Sequence, residues 1–202
     1  MISFDALPGN RSLKASLRRA LAGRVPQTIL LSGDDSRSLE TLSTALAAGI
    51  LCEADGPRPC GACLSCRKVQ DGVHPDLTLI DEGEEDLKVD LARRIKAENA
   101  IIPNDGARRV TVIRHAHNMN AYAQNALLKV LEEKKVRRLG GSRDIPFDVR
   151  IVAAVNEKPQ KLIREGRLRE DLYYRLGVIR LPLPPLRERL CDIGPLADYF
   201  IE

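Results

Sequence analysis

Apolar residues recur at helical spacing through LKASLRRALAGR, and Asn10 or Ser12 stands where the cap of that helix is expected. Pro26 ends the stretch, and TILLSG follows as a short apolar run closed by glycine, the pattern of a buried parallel strand. The spacing turns helical again in DDSRSLETLSTALAAGILC, with Leu39, Leu42, Ala45, Leu46 and Ile50 on one face, so strand, turn and helix form a βα unit. Residues 52–66 are rich in Cys, Pro and Gly and carry no period, which predicts a small inserted knuckle. HPDLTLID then reads as a second strand, DEGEED as a solvated loop, LKVDLARRIKAENAI as a helix and RRVTVIRHAH as a third strand. NMNAYAQNALLKVLEEKK is strongly helical, with Ala123, Leu127, Val130 and Leu131 inward, and DVRIVAAVN is apolar enough for a central strand. QKLIREGRLREDLYYRL predicts helix, GVIRLPLPP a short strand stopped by prolines, and RERLCDIGPLADYFIE a last helical segment. Such alternation implies a parallel sheet covered on both faces. No internal repeat or low-complexity tract interrupts it.

Composition narrows the functional classes. At 202 residues and 44% apolar content, the chain suits one domain carrying a small insertion. Aromatics make up 3% and Trp is absent, which argues against base stacking as a mode of nucleic-acid contact. The net charge of +4 on a 30% charged chain permits contact with phosphates, although a mixed-charge solvated surface explains it as well. No apolar run reaches the roughly 18 residues of a membrane helix. MISFDALPGN lacks the design of a signal peptide, so a cytoplasmic protein is expected. A reducing compartment disfavours disulfides, and clustered cysteines there point to metal.

The clustered cysteines are Cys52, Cys60, Cys63 and Cys66, spaced C-x7-C-x-x-C-x-x-C. A C-x-x-C pair brings two thiolates to one ion from a tight turn, and Gly61 supplies backbone freedom there. Four thiolates complete a closed tetrahedral shell, which makes structural zinc the expected cofactor and leaves no position for a reactive water. A redox pair and an iron–sulfur cluster are the other readings. His74 is near enough in sequence to ligate, but four thiols suffice. Cys191 stands alone and is expected to be a small buried residue.

The first strand, turn and helix are the setting of a phosphate loop, G-x-x-x-x-G-K-[ST]. Here the aligned run is Gly33, Asp34, Asp35, Ser36, Arg37, Ser38, Leu39 and Glu40. Gly33 survives, Ser38 replaces the second glycine, Leu39 the lysine, and Glu40 the hydroxyl that would hold Mg²⁺. The cationic charge is gone and carboxylates take its place, repelling phosphate; the aspartates also suit capping of the helix. A working site needs carboxylates at the end of the third strand as well, where this chain has Arg114, His115, Ala116 and His117. ATP binding and hydrolysis by this chain are therefore not expected.

The cysteine knuckle, HPDLTLID, LKVDLARRI, RRVTVIRHAHNMN and AQNALLKVLEE together resemble the bacterial DNA polymerase III clamp loader, over roughly residues 1–133. The degenerate phosphate loop looks like the delta-prime subunit rather than the ATP-binding motor subunits. Beyond Glu133, REDLYYRL and LPPLRER followed by DI resemble the AAA+ domain of the enhancer-binding proteins that activate the sigma-N form of RNA polymerase. Both resemblances imply an AAA+ P-loop NTPase fold, α/β, a three-layer sandwich around a parallel sheet with a zinc knuckle inserted at residues 52–66. They imply one core domain over residues 1–202, a junction between parent families near residue 133, and a chain that stops where a helical lid would start.

By resemblance, Asn156 occupies the sensor I position, and Arg169 and Arg175 match arginine-finger positions. The plain alternative for either arginine is a surface ion pair with Glu165, Glu170 or Asp171. The implied function is a non-hydrolysing module of DNA replication that offers an arginine to a neighbour's ATP. Its implied partners are the other clamp-loader subunits and the sliding clamp, with DNA contact only within the assembly and no membrane. Two alternatives stand beside it. One is an engineered or recombinant AAA+ chimera acting only as a folded scaffold. The other is a fragment of a sigma-N-dependent activator ATPase, against which stand the lost phosphate loop and the absence of a Gly-Ala-Phe-Thr-Gly-Ala loop.

Overall fold

The computed structural model describes residues 2–81, 103–104, 108–133, 135–137, 144–146 and 149–201. Its centre is a parallel sheet whose strands are β1 (Thr28–Ser32), β2 (Leu77–Ile80), β3 (Arg109–Ile113), β6 (Val149–Val155) and β7 (Ile179–Pro182), while β4 (Lys135–Arg137) and β5 (Asp144–Pro146) form a separate antiparallel pair. The order across the sheet is β2-β3-β6-β1-β7. DVRIVAAVN therefore lies between β1 and β3, with Ile151 opposite both Thr28 and Thr111, and every residue of β6 is buried. This is why its apolar run is unbroken: a central strand has a core on each face.

The period of two sorts the strand residues between two cores. Ile29, Leu31, Val110, Val112, Val152 and Ala154 face α1 (Arg11–Ala22), α2 (Ser36–Leu51) and α3 (Leu64–Gln70). Leu30, Ile113, Ile151, Ala153 and Val155 face α4 (Ala121–Glu133), α5 (Pro159–Arg164) and α6 (Glu170–Leu176). The predicted inward residues of α2 and α4 are all buried. Each such Leu contributes about 1.5–3 kcal/mol relative to exposure.

Four expectations need correction. Asn10 precedes α1 with φ 54°, but its side chain makes no capping bond; Asp192, far along the chain, accepts the Asn10 N–H at 2.7 Å and supplies the negative charge that the helix start favours. The single helix predicted over QKLIREGRLREDLYYRL is two, α5 and α6, because Gln124 of α4 holds the intervening backbone. The hairpin of β4 and β5 was not foreseen. Cys191 is exposed rather than buried, because it lies on the outward side of a 3-10 turn whose Asp192 points inward. The final helix, α7, is shorter than predicted, at Ile193–Ile201. The predicted helix LKVDLARRIKAENAI and all but the first residue of the acidic stretch before it lie outside the described residues.

Candidate functional site

The first site is the knuckle between α2 and β2. Helix α2 delivers Cys52 at its end, and Cys63 caps α3, accepting the Cys66 N–H at 3.4 Å; Cys60 accepts the Cys63 N–H at 3.3 Å. Gly61 bends the chain with φ 70°, a conformation open to glycine at no steric cost. These turns bring the four Sγ atoms within 4.8 Å of one another, with Cys52–Cys63 at 4.0 Å and Cys60–Cys66 at 3.9 Å, so the cluster can hold a metal ion. Among the described residues no other His, Cys, Asp and Glu group has this property. The Cys63 and Ala62 N–H groups pull the Cys60 thiol down to about 6, whereas burial raises Cys52 and Cys66.

His74 is buried and committed elsewhere. The Ser65 hydroxyl donates to Leu51 O at 2.7 Å, which leaves its oxygen to accept from His74 Nε2 at 2.9 Å; His74 Nδ1 accepts the Asp76 N–H at 3.0 Å. Both ring nitrogens thus lock the exit of the knuckle into the sheet.

The second site lies at the carboxyl ends of β1, β3 and β6, the crevice where open α/β sheets take ligands. Asp35 caps α2, accepting the Ser38 N–H at 3.2 Å and the Ser38 hydroxyl as well, so Ser38 is consumed in helix capping. Gly33 is pressed against the chain after β7: a Cβ there would lie 2.8 Å from Leu183 Cβ and 3.0 Å from its carbonyl oxygen. Asn156, at the end of β6, donates one amide hydrogen to Ser36 Oγ at 2.8 Å and the other to His115 Nδ1 at 3.1 Å. His115 therefore carries its proton on Nε2, which faces Asp81 at 3.6 Å. Arg114 reaches Asp81 at 2.6 Å, Thr44 Oγ1 at 3.0 Å and Glu40 at 3.9 Å. Burial and the Arg167 charge lower the pKa of the neighbouring His117. Beside this crevice, a cavity of about 1050 Å³ runs past Asn10, Gly33, Asp34, Leu183 and Asp192.

The structure gathers Gly33, Ser38 and Asn156 around one turn but sets the two arginines elsewhere, on α6. Arg169 caps α6; its guanidinium pairs with Asp171 at 2.7 Å and donates to Asn125 Oδ1 at 2.8 Å, and the pairing lowers the Asp171 pKa and raises its own. Arg175, in the last turn, is exposed and has no ion pair among the described residues. Sequence reasoning passed over Gln124. It is buried, donates to Met119 O and Arg167 O at 2.8 Å each, and accepts the Arg169 N–H at 2.9 Å. A glutamine inside the apolar face of a strong helix was the available signal.

The family model described as "DNA polymerase III, delta subunit" matches residues 9–138, more than half of the chain. The chain belongs to this family. A second model, "Sigma-54 interaction domain", matches residues 109–182, so the two overlap across β3 and α4. Its relatives include a transcriptional activator and a regulatory protein. The transcriptional activator RocR of Bacillus subtilis is 50% identical over 86 residues, 43% of this chain and 19% of RocR. The regulatory protein AtoC of Escherichia coli is 49% identical over 79 residues, 39% of this chain and 17% of AtoC. The chain thus spans only a minor share of the curated relatives it matches. Among solved structures, Brucella abortus NtrX in complex with ATP is similar with a TM-score of 0.59 at 22% identity, over 96% of this chain and 42% of NtrX. A DNA polymerase III gamma subunit-related protein of Thermotoga maritima gives 0.57 at 22% identity, over 87% of this chain and 47% of that one. The RuvB branch-migration motor of Thermotoga maritima gives 0.57 at 18% identity, over 99% of this chain and 54% of RuvB. These likenesses show the fold alone: the chain shares its parallel α/β architecture with these proteins. Among the described residues, no helix is long and apolar enough to cross a membrane.

Proposed function

We propose that this chain is a non-hydrolysing AAA+ module of the clamp-loader delta-prime type, built around a structural zinc ion. The observation that carries the reading is the four-thiol cluster, which lies inside the stretch matched by the delta-subunit family. A tetrahedron with Zn–S bonds of about 2.3 Å has edges of about 3.8 Å. The spacings of 4.0 and 3.9 Å fit that shell closely. Cys52, Cys60, Cys63 and Cys66 would hold the ion with no coordination position left for substrate, so its contribution is to folding. ATP would not be bound by this chain. Its contribution to hydrolysis would be the guanidinium of Arg169 or Arg175, offered to the ATP of a neighbouring subunit, where it would stabilise charge on the transferring phosphoryl group. The other loader subunits and the sliding clamp are then its partners, and DNA is met within that assembly.

The test is reconstitution. The tagged chain is mixed with gamma-type loader subunits, and ATP turnover of the purified assembly is compared for the native chain, Arg169→Ala and Arg175→Ala. Co-purification with turnover lost in one variant supports the proposal; no association, or turnover indifferent to both variants, overturns it. Metal analysis should find one zinc per chain, lost on Cys63→Ser.

A second reading rests on the 49–50% identity to RocR and AtoC over 79–86 residues and on the sigma-54 match at residues 109–182. On that reading the chain is a fragment of a sigma-N-dependent transcription activator ATPase. Retention of sigma-N RNA polymerase in place of loader subunits would select it.

A further inference from the structure

The crevice that this fold uses for a magnesium nucleotide does not fit one here, and the misfit has a pattern. In a hydrolysing domain, a hydroxyl on the first helix and a carboxylate at the end of the third strand bracket a divalent cation. In this chain the charges at those two places are reversed: Glu40 stands for the hydroxyl and Arg114 for the carboxylate. Their side chains meet. Arg114 Nη1 lies 2.6 Å from Asp81 Oδ2 and 3.9 Å from Glu40 Oε2, and Nη2 donates to Thr44 Oγ1 at 3.0 Å. The Arg114 side chain is only 15% exposed, whereas Glu40 is 41% exposed, so the cation is the inner partner.

We infer that Arg114 is a built-in cation, replacing the metal ion of the crevice and joining α2, β2 and β3 without any ligand. A guanidinium suits the task because it stays charged at every physiological pH and offers several donors in a fixed fork. Thr44 of α2, Asp81 after β2 and Glu40 of α2 are the acceptors of that fork or lie near it. Around them, Ser38 is spent on Asp35 and Asn156 on Ser36 and His115. A divalent ion entering beside the guanidinium would be repelled at short range. The crevice is thus held in one arrangement by the protein alone. The inference deepens the non-hydrolysing reading and needs no partner subunit, so its test is made on the isolated chain.

Zinc-loaded native protein, Arg114→Gln and Arg114→Lys are melted with and without millimolar manganese, and manganese binding is followed by paramagnetic broadening of the His115 ring signals. The native midpoint should ignore manganese and its His115 signals should stay sharp. Arg114→Gln should melt lower by roughly 5 °C. Manganese should recover at least half of that loss while broadening His115, because Glu40 and Asp81 then lack their cation. Arg114→Lys, which keeps a charge on a different stem, should melt above Arg114→Gln. Manganese binding beside His115 in the native protein overturns the inference, as does an Arg114→Gln loss that manganese leaves untouched. Should Arg114→Gln fail to fold, Arg114→Lys decides: a folded lysine variant supports the built-in cation, and an unfolded one overturns it.

Discussion

Replacing Gln124 by methionine removes three hydrogen bonds while conserving most of the side-chain volume. Two of the bonds are donated, to Met119 O within α4 and to Arg167 O, and the third is accepted from the Arg169 N–H. Each such bond contributes about 1 kcal/mol net, and a buried group left unpaired costs more. The Met119 contact is fully buried, while water can partly replace the other two, so the expected loss is about 3 kcal/mol. In a domain of this length that corresponds to a fall in Tm of about 6–12 °C. Urea unfolding followed by circular dichroism measures the loss. Amide exchange at residue 169 locates it, since protection there should drop further than protection in β6. A variant within about 0.5 kcal/mol of the native chain, the range of an ordinary surface substitution, would refute the reasoning.

The carboxylate of Asp192 is held below the usual carboxylate range by the Asn10 N–H first and by Arg189 after it. With a depressed folded value, its contribution is fully present above about pH 4 and is lost as pH falls through that lower value. Asp192→Asn should therefore cost about 1.5–3 kcal/mol at pH 7, and the difference from the native chain should shrink in acid; a difference constant from pH 7 to 2 would contradict the assignment. Gly33→Ala drives a methyl group into Leu183 and should destabilise by about 1–3 kcal/mol. Adding Leu183→Ala should return part of it, and strictly additive losses would show that the two do not meet. Cys63→Ser, by breaking the thiol cluster, should abolish zinc binding and lower Tm; a metal-free native chain or variant as stable as the untreated native chain would argue against a structural ion.

Much of this was legible because burial on two sides writes itself into sequence. The alternation of Ile29, Leu30 and Leu31 between two cores, and the apolar positions of α4, needed only the periods of two and 3.6. The cysteine spacing announced its own geometry. The β4–β5 pair did not, since its three-residue strands are short and charge-rich and show no apolar alternation. Its one clue was the Gly-Gly pair between them. The break between α5 and α6 was equally hidden, because the residue that imposes it, Gln124, lies some forty positions upstream. Cys191 misled for a related reason: thiols favour burial on average, but Asp192 claimed the inward position beside it.

The strand order decides whether two stretches of different resemblance can behave as separate pieces. Strand β1 comes from the delta-subunit match, yet both its edges are covered by strands from the sigma-54-like stretch, β6 on one side and β7 on the other. Without residues 149–182, β1 would have no strand partner, and a gap one strand wide would separate it from β3. The same interleaving recurs in the side chains: Thr28 donates to Arg175 O at 2.9 Å, and Asp192 fixes the start of α1. Neither stretch therefore holds a complete core, and cutting the chain between β5 and β6 should leave two fragments that fold only when mixed. The two matches overlap over residues 109–138, and the sheet runs straight across that overlap.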